Sequence, residues 1–344
     1  MTIVHGIIGC GQVAVNHVDG FRAVPDCEVR WACDRDGARL AAFVDAHGMP
    51  RSTDSHRDVL ADREITSVSV GVDHAQHATL AAAALQAGKD VLVEKPLALS
   101  LADGAHLCRL ADERGRVLGV VAQHRHDPLI AAVKRWVEHG LLGDLVLLAA
   151  VLQCRREPAY YRSSYWRGTW DSEGGSVLIN QAYHCVDLLR WLGGAVVGAK
   201  ASMATRGLAG VVETEDTFCG VLELAGGALA TVAATLVSSV FMRTRIDLVG
   251  TRGSVTFDLD HPDRLHFSHG TPELRREVEA VLAARAKEPP PPDGLDVYTV
   301  SHRRQVADFC DAVRERRRPL VDGAEGLATL EAIESLYRAG RAAC

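Results

Sequence analysis

A chain of 344 residues exceeds the size at which one hydrophobic core usually keeps growing, so two domains are expected. Its 47% apolar and 24% charged residues exclude a disordered or fibrous chain. A net charge of -6 gives no general attraction for nucleic-acid phosphates or anionic lipid, so neither nucleic acid nor membrane is an expected partner.

The start of the chain, Met1-Thr2-Ile3-Val4-His5-Gly6, lacks a basic segment and a long apolar run, and the expected location is the cytoplasm. Short apolar runs then alternate with helical patterns: 3–9, 11–24, 29–33 and 36–47. This is a βαβ pattern and favours a parallel sheet. The runs 68–72 and 91–93 are β-branched and nearly continuous, as in strands covered on both faces, and 117–121 closes the series. The first domain is read as 1–123. After a helical segment at 128–139, alternating strands at 144–154, 196–205, 214–224, 228–237, 243–249 and 253–258 indicate an antiparallel sheet in an α+β domain over 124–344. Four consecutive prolines mark 287–294 as an exposed loop. Helical patterns at 298–316 and 323–340 end the chain, free to pack back on the first domain.

Nine cysteines are scattered at 10, 27, 33, 108, 154, 185, 219, 310 and 344 without a C-x-x-C pair, and are read as reduced thiols. His74 with His77 and His124 with His126 are the nearest approach to zinc spacing. Neither has a second cluster, and no metal is expected.

Gly9-Cys10-Gly11-Gln12-Val13-Ala14 fits G-x-G-x-x-G/A between a strand and a helix. Gly9 permits the tight turn, Gly11 lets backbone approach a pyrophosphate, and Ala14 lets the helix pack closely. The helix start presents free N–H groups to phosphate. Asp34 follows the next strand at the distance where an acid meets the adenosine ribose. Asp34 favours NAD, whereas the neighbouring Arg35 also admits the extra phosphate of NADP.

Glu94-Lys95-Pro96 follows the buried strand 91–93 and places Lys95 at a carboxyl end of the parallel sheet, where ligands bind. A second polar group lies in 174–191. On an α-helix there, Asn180, His184 and Asp187 would share one face amid Val177, Ile179, Val186, Leu188 and Leu189. A polar stripe on so apolar an element needs partners, and a core histidine bonded to Asp187 or Asn180 is the simpler alternative.

These stretches resemble the Gfo/Idh/MocA family, named for glucose-fructose oxidoreductase, inositol dehydrogenase and a rhizopine-catabolism protein. The resemblance spans nearly the whole chain, through 9–14, 87–96, Trp166-Arg167-Gly168, 174–187, Asp308-Phe309 and 318–323. It implies a Rossmann domain and an open antiparallel sheet domain that covers nicotinamide and substrate, with homodimers or homotetramers formed through the sheets. It further implies that Lys95 contacts the reacting oxygen, that His184 shuttles its proton and that Asp187 lies near the substrate. The cofactor set is then Gly9, Gly11, Gln12, Val13, Ala14, Asp34, Arg35, Val72, His77, Glu94 and Lys95. Many members carry aspartate where this chain has Asn180. The amide removes a charge that would favour protonated His184, which suits a base in alcohol oxidation.

Between the domains, 153–170 interleaves aromatic residues and arginines without core periodicity, as suits a polyhydroxylated ligand or, equally, a packing loop. Arg155, Tyr161, Tyr165, Trp166, Arg167 and Tyr183 are the candidate substrate contacts. The expectation is an NAD-dependent dehydrogenase oxidising a secondary alcohol of a sugar, nucleotide-sugar, sugar phosphate or cyclitol. An NADPH-dependent ketosugar reductase and a catalytically dead NAD-binding scaffold or sensor are the alternatives.

Overall fold

The computed structural model describes residues 2–261, 264–287 and 295–342. Met1, Cys344 and 288–294 of the proline-rich stretch lie outside the described residues. The chain forms two compact units, Met1–Gln123 with Thr299–Leu330 and His124–Tyr298 with Glu331–Cys344.

The first unit runs β1 (Ile3–Ile8), α1 (Ala14–Ala23), β2 (Cys27–Cys33), α2 (Gly37–His47), β3 (Arg51–Thr53), α3 (His56–Ala61), β4 (Ser67–Val70), α4 (His74–Gln86), β5 (Asp90–Val93), α5 (Leu101–Arg114) and β6 (Leu118–Val120). Its sheet has the order β3-β2-β1-β4-β5-β6, and every neighbouring pair is parallel. Helices cover both faces, which is why β4 and β5 are buried along their whole length. The order reverses between β1 and β4, opening a crevice at their carboxyl ends where ligands bind in such sheets.

The same unit takes up residues from near the chain's end. Val306, Phe309 and Val313 of the helix Val297–Glu315 join Ile3, Ile7 and Phe21 in one core cluster. Residues 299–330 belong to this unit, so the chain end packs back on the first domain.

The second unit contains α6 (Pro128–Glu138), β7 (Leu145–Cys154), α7 (Pro158–Arg162), α8 (Tyr183–Gly193), β8 (Val196–Ala204), β9 (Thr217–Leu224), β10 (Leu229–Thr235), β11 (Met242–Gly250), β12 (Gly253–Asp258), β13 (Leu265–Gly270) and α9 (Pro272–Arg285). The helix Val297–Glu315 is α10, and α11 (Gly323–Ala342) ends the fold. The sheet order is β13-β12-β11-β7-β10-β9-β8. The sheet is mixed, because β7 and β10 run parallel while the other neighbours are antiparallel. Turn signals report the direction of consecutive strands only, and β7 and β10 are not consecutive. Residues on one face, including Leu148, Ala150, Val232 and Leu222, are buried, and α8 packs against β7 and β10. Among the described residues no helix is long and apolar enough to cross a membrane.

Candidate active site

The cofactor end of the first unit is built on two glycines with different reasons to be glycine. Gly9 has φ +100°, and a Cβ there would lie 2.3 Å from the Gly71 carbonyl oxygen, so the turn under β4 admits no side chain. A Cβ on Gly11 would meet no protein atom within 4 Å. Its missing side chain leaves open space in front of α1, whose start has no side-chain cap at Val13. Open space before uncapped helix N–H groups fits a pyrophosphate. Gln12 is exposed beside it, and Ala14 is buried against the sheet.

Asp34, at the carboxyl end of β2, accepts hydrogen bonds from the Cys10 N–H at 2.9 Å and the Asp36 N–H at 2.9 Å. The glycine turn is thus tied to the acid expected at the ribose. Sequence reasoning placed Arg35 beside this acid; Arg35 is exposed, with a guanidinium nitrogen 3.9 Å from Asp73. Arg39, one helical turn further on, reaches Asp34 at 3.3 Å. The Asp-x-x-x-x-Arg spacing across a helix start was the signal for it.

Glu94 and Lys95 follow β5. Glu94 is buried, its Oε1 lies 2.9 Å from His17 Nε2, and its Oε2 accepts the Lys95 N–H at 3.2 Å. Burial alone would push this carboxyl up, but the His17 hydrogen bond and charge, with His302 and Lys95, hold it at about 2. Lys95 is half-buried, and the Lys95–Pro96 peptide is cis. Val72 is half-buried at the β4 end of the crevice. His77 is fully buried, with Nδ1 2.7 Å from the Pro96 carbonyl and Nε2 3.3 Å from the Val72 carbonyl. It braces the turn after Lys95, and burial pushes its pKa down.

In the second unit, 174–191 is not one α-helix. Residues Val177–Gln181 form a π-turn, Ala182 interrupts, and α8 begins at Tyr183. The cause lies in two buried carboxylates outside the segment. Glu215 Oε1 accepts the Leu178 N–H at 2.9 Å and the Ser176 N–H at 3.2 Å, and the Tyr337 hydroxyl donates to it at 2.7 Å. Glu173 accepts from the Gly168 N–H, the Ser176 hydroxyl and the Asn180 amide Nδ2. These partners replace the first turn of an ideal helix, and Asn180 turns its amide to Glu173. Gly175 is obligatory, because a Cβ there would fall on the Tyr337 hydroxyl. Burial pushes the Glu215 carboxyl up to about 7 against the hydrogen bonds it accepts.

His184, half-buried in the first turn of α8, packs edge-on against His124 at 5.0 Å between ring centroids. His124 is itself paired through Nδ1 with Asp127 at 2.9 Å. Asp187, expected near the substrate, is 2% exposed and forms a two-pronged ion pair with the fully buried Arg125 at 2.8 and 2.5 Å. Its carboxylate anchors α8 to the segment before α6. Tyr161 and Tyr183, two further expected contacts, are 4% and 0% exposed.

The exposed part of the expected substrate segment is arranged around Tyr160. Arg167 stacks over its ring at 4.1 Å and over Trp166 at 5.3 Å. Arg156 stacks over Tyr160 at 5.2 Å and Phe241 at 5.7 Å, and donates to Gln181 at 2.8 Å. The Nε atoms of Arg156 and Arg167 are buried without a protein hydrogen-bond partner among the described residues. Tyr165 is 71% exposed, and Arg155 points to Glu157 at 3.5 Å. Arg156, Tyr160 and Phe241 escaped sequence reasoning because their cluster joins α7 to the loop before β11. Among the described residues no group of three His, Cys, Asp or Glu side chains forms a metal site.

A six-stranded sheet in this order, an open glycine turn before an uncapped helix and a ribose-directed acid define an NAD-binding oxidoreductase. Residues 3–122 match "Oxidoreductase family, NAD-binding Rossmann fold" and residues 130–256 match "GFO/IDH/MocA C-terminal domain". The chain belongs to the Gfo/Idh/MocA family, whose members act on CH–OH groups with a nicotinamide cofactor. It is 31% identical to a dTDP-3,4-didehydro-2,6-dideoxy-alpha-D-glucose 3-reductase of Streptomyces violaceoruber, over 97% of this chain and 94% of the relative. It is 25% identical to a D-apiose dehydrogenase of Paraburkholderia graminis, over 97% and 87%. The WlbA dehydrogenase of Bordetella pertussis, solved with NADH and UDP-GlcNAcA, superposes with a TM-score of 0.88 at 28% identity, covering 100% of this chain and 96% of that one.

Proposed function

We propose that this enzyme oxidises a secondary alcohol of a nucleotide-sugar to the ketone with NAD, using Lys95 and His184. The observation that carries the reading is Lys95 itself: a half-buried cation at the carboxyl end of β5, its backbone held by an ionised buried carboxylate, in the unit that holds the open glycine turn. Bound nicotinamide supplies the hydride acceptor. As the alcohol carbon loses hydride, negative charge grows on its oxygen; the Lys95 ammonium stabilises that charge and the His184 imidazole accepts the hydroxyl proton. Asp187 and Arg125 hold α8, and through it His184, in place. Asn180, turned toward Glu173, orients the entry to that helix.

The nucleotide-sugar class draws support from the Arg156–Tyr160–Arg167 stack, which offers two guanidinium groups for a diphosphate and the half-buried Tyr160 ring for a sugar or base. The dTDP-sugar and UDP-sugar proteins among the relatives support the same class. A reductive direction with NADPH is the second reading, favoured by Arg39 beside Asp34 and by the reductase relative.

The enzyme is further proposed to be cytoplasmic and to work as a homodimer or homotetramer. The support for assembly is a row of exposed apolar side chains in cross-strand register, Val249, Leu147 and Leu229. The test is NADH fluorescence with purified protein, NAD and a panel of UDP- and dTDP-sugars, sugar phosphates, free sugars and inositols, beside Lys95→Ala. Turnover on nucleotide-sugars that Lys95→Ala abolishes is the expected result. Turnover confined to free sugars or inositols would overturn the substrate class, and full activity in Lys95→Ala would overturn the mechanism.

A further inference from the structure

Behind Lys95 the first unit contains a buried polar chain with no part in the cofactor turn. Glu94 Oε1 meets His17 Nε2 at 2.9 Å, and His17 Nδ1 meets the Ser69 hydroxyl at 2.8 Å. The same hydroxyl meets His5 Nε2 at 2.9 Å, and His5 Nδ1 meets the Ser67 hydroxyl at 2.8 Å. All five residues are at most 4% exposed, and they come from α1, β4, β1 and the position just after β5. Five polar side chains inside a parallel sheet need a reason, since each must be satisfied or cost about 1–3 kcal/mol.

Counting protons along the chain shows what it permits. With His17 neutral and Nε2 carrying its proton, Glu94 accepts from His17, the Ser69 O–H donates to His17 Nδ1, His5 Nε2–H donates to Ser69, and the Ser67 O–H donates to His5 Nδ1. Adding one proton at His17 Nδ1 reverses the three later bonds: His17 donates to Ser69, Ser69 to His5 Nε2, and His5 Nδ1–H to Ser67. Each of the four contacts stays hydrogen-bonded in both states, with the three beyond Glu94 reversed. His17 can therefore donate to Glu94 in either arrangement of the chain.

We propose that His17 is a positioning residue for Lys95, acting through Glu94; this rests on the reading that Lys95 is the catalytic cation. Glu94 has two oxygens and two tasks. Oε1 is held by His17 and Oε2 accepts the Lys95 backbone N–H, so one carboxylate ties α1 to the backbone of Lys95. Without the imidazole, the buried carboxylate turns to its remaining cationic neighbours. The titratable groups around it are Lys95, His302 from α10 at 4.0 Å, and His77 from α4. Lys95 is the most basic of them, and an ammonium drawn onto Glu94 is withdrawn from the alcohol oxygen.

The test is His17→Asn, with Ser69→Ala as a milder variant that keeps the imidazole and removes the hydroxyl behind it. Lys95→Ala is assayed beside them. The readouts are kcat and KM from about pH 6 to about pH 10, NAD affinity by fluorescence, and melting temperature. His17→Asn is expected to lower kcat roughly 10- to 100-fold and to displace the alkaline limb of its pH profile, with NAD affinity within about threefold of the parent. Ser69→Ala moves both in the same direction by less. A folded His17→Asn enzyme with the parent's kcat and pH profile would overturn the inference, as would a loss that only tracks the folded fraction. If His17→Asn does not fold, a Ser69→Ala enzyme with an unchanged profile overturns it equally. Full activity in Lys95→Ala removes the underlying reading instead, so the two failures are told apart.

Discussion

Glu215 makes the architecture of the second unit testable by pH alone. Its carboxyl is 2% exposed, holds two backbone N–H groups of the 176–178 turn and the Tyr337 hydroxyl, and titrates at about 7 rather than 4.5. The folded state therefore keeps a proton that the unfolded chain has released between these two values. Stability is unaffected below about pH 4.5, falls as pH rises through the window, and is fully reduced above pH 7. A displacement from 4.5 to about 7 corresponds to about 3 kcal/mol. For a unit of this size that is roughly 5–10 °C in melting temperature. Glu215→Gln keeps a carbonyl oxygen to accept the same N–H groups and cannot ionise. Thermal melts of both proteins from about pH 5 to about pH 8.5 should show the parent losing stability across the window and the variant losing less by that amount. Parallel curves would refute the buried, proton-retaining Glu215 and with it the account of why 177–181 leaves the α-helical path.

Gly11→Ala should leave the melting temperature within about 1 °C, because a Cβ there meets no protein atom, while NAD affinity measured by fluorescence titration falls at least about tenfold; Gly9→Ala should lose both stability and binding. Asp187→Asn or Arg125→Met should cost about 3–5 kcal/mol in urea unfolding, and the combined Arg125→Met with Asp187→Leu should recover much of the loss, since a buried ion pair is dearer to break than to replace. Asn180→Asp sets a second carboxylate against Glu173, so one of the two takes up a proton near neutral pH. A stability loss of about 1–3 kcal/mol, reversed by Glu173→Gln, is the expected result of a double-mutant cycle.

Elements whose side chains repeat with the period of their backbone were legible in the sequence, together with the residues at their ends. The strands β1, β4 and β5 are read from continuous apolar runs, and Gly9, Gly11, Asp34 and Lys95 follow because a parallel sheet puts its ligand-facing residues at strand ends. β3 has three residues and β13 is exposed along most of its length, so neither has a period to read. The polar partners were the harder part. Asp187, Asn180 and His17 were each visible as a residue type, but Arg125 lies 62 positions from Asp187, Glu94 lies 77 from His17, and Glu215 lies 37 from Leu178.

Helical spacing puts Asn180, His184 and Asp187 on one α-helix, of which α8 holds only His184 and Asp187, and the difference has one cause. A helix-period argument assumes that the backbone N–H groups bond within the segment. At 176–179 they bond to Glu215 and Tyr337, which stand elsewhere in the chain and impose a wider turn. The departure falls immediately before His184, on the segment that sets where that imidazole begins. An α-helical 177–181 would give up bonds to two buried carboxylates, Glu173 and Glu215. The sequence avoids both losses, because Gly174 and Gly175 open the turn and Tyr337 closes it.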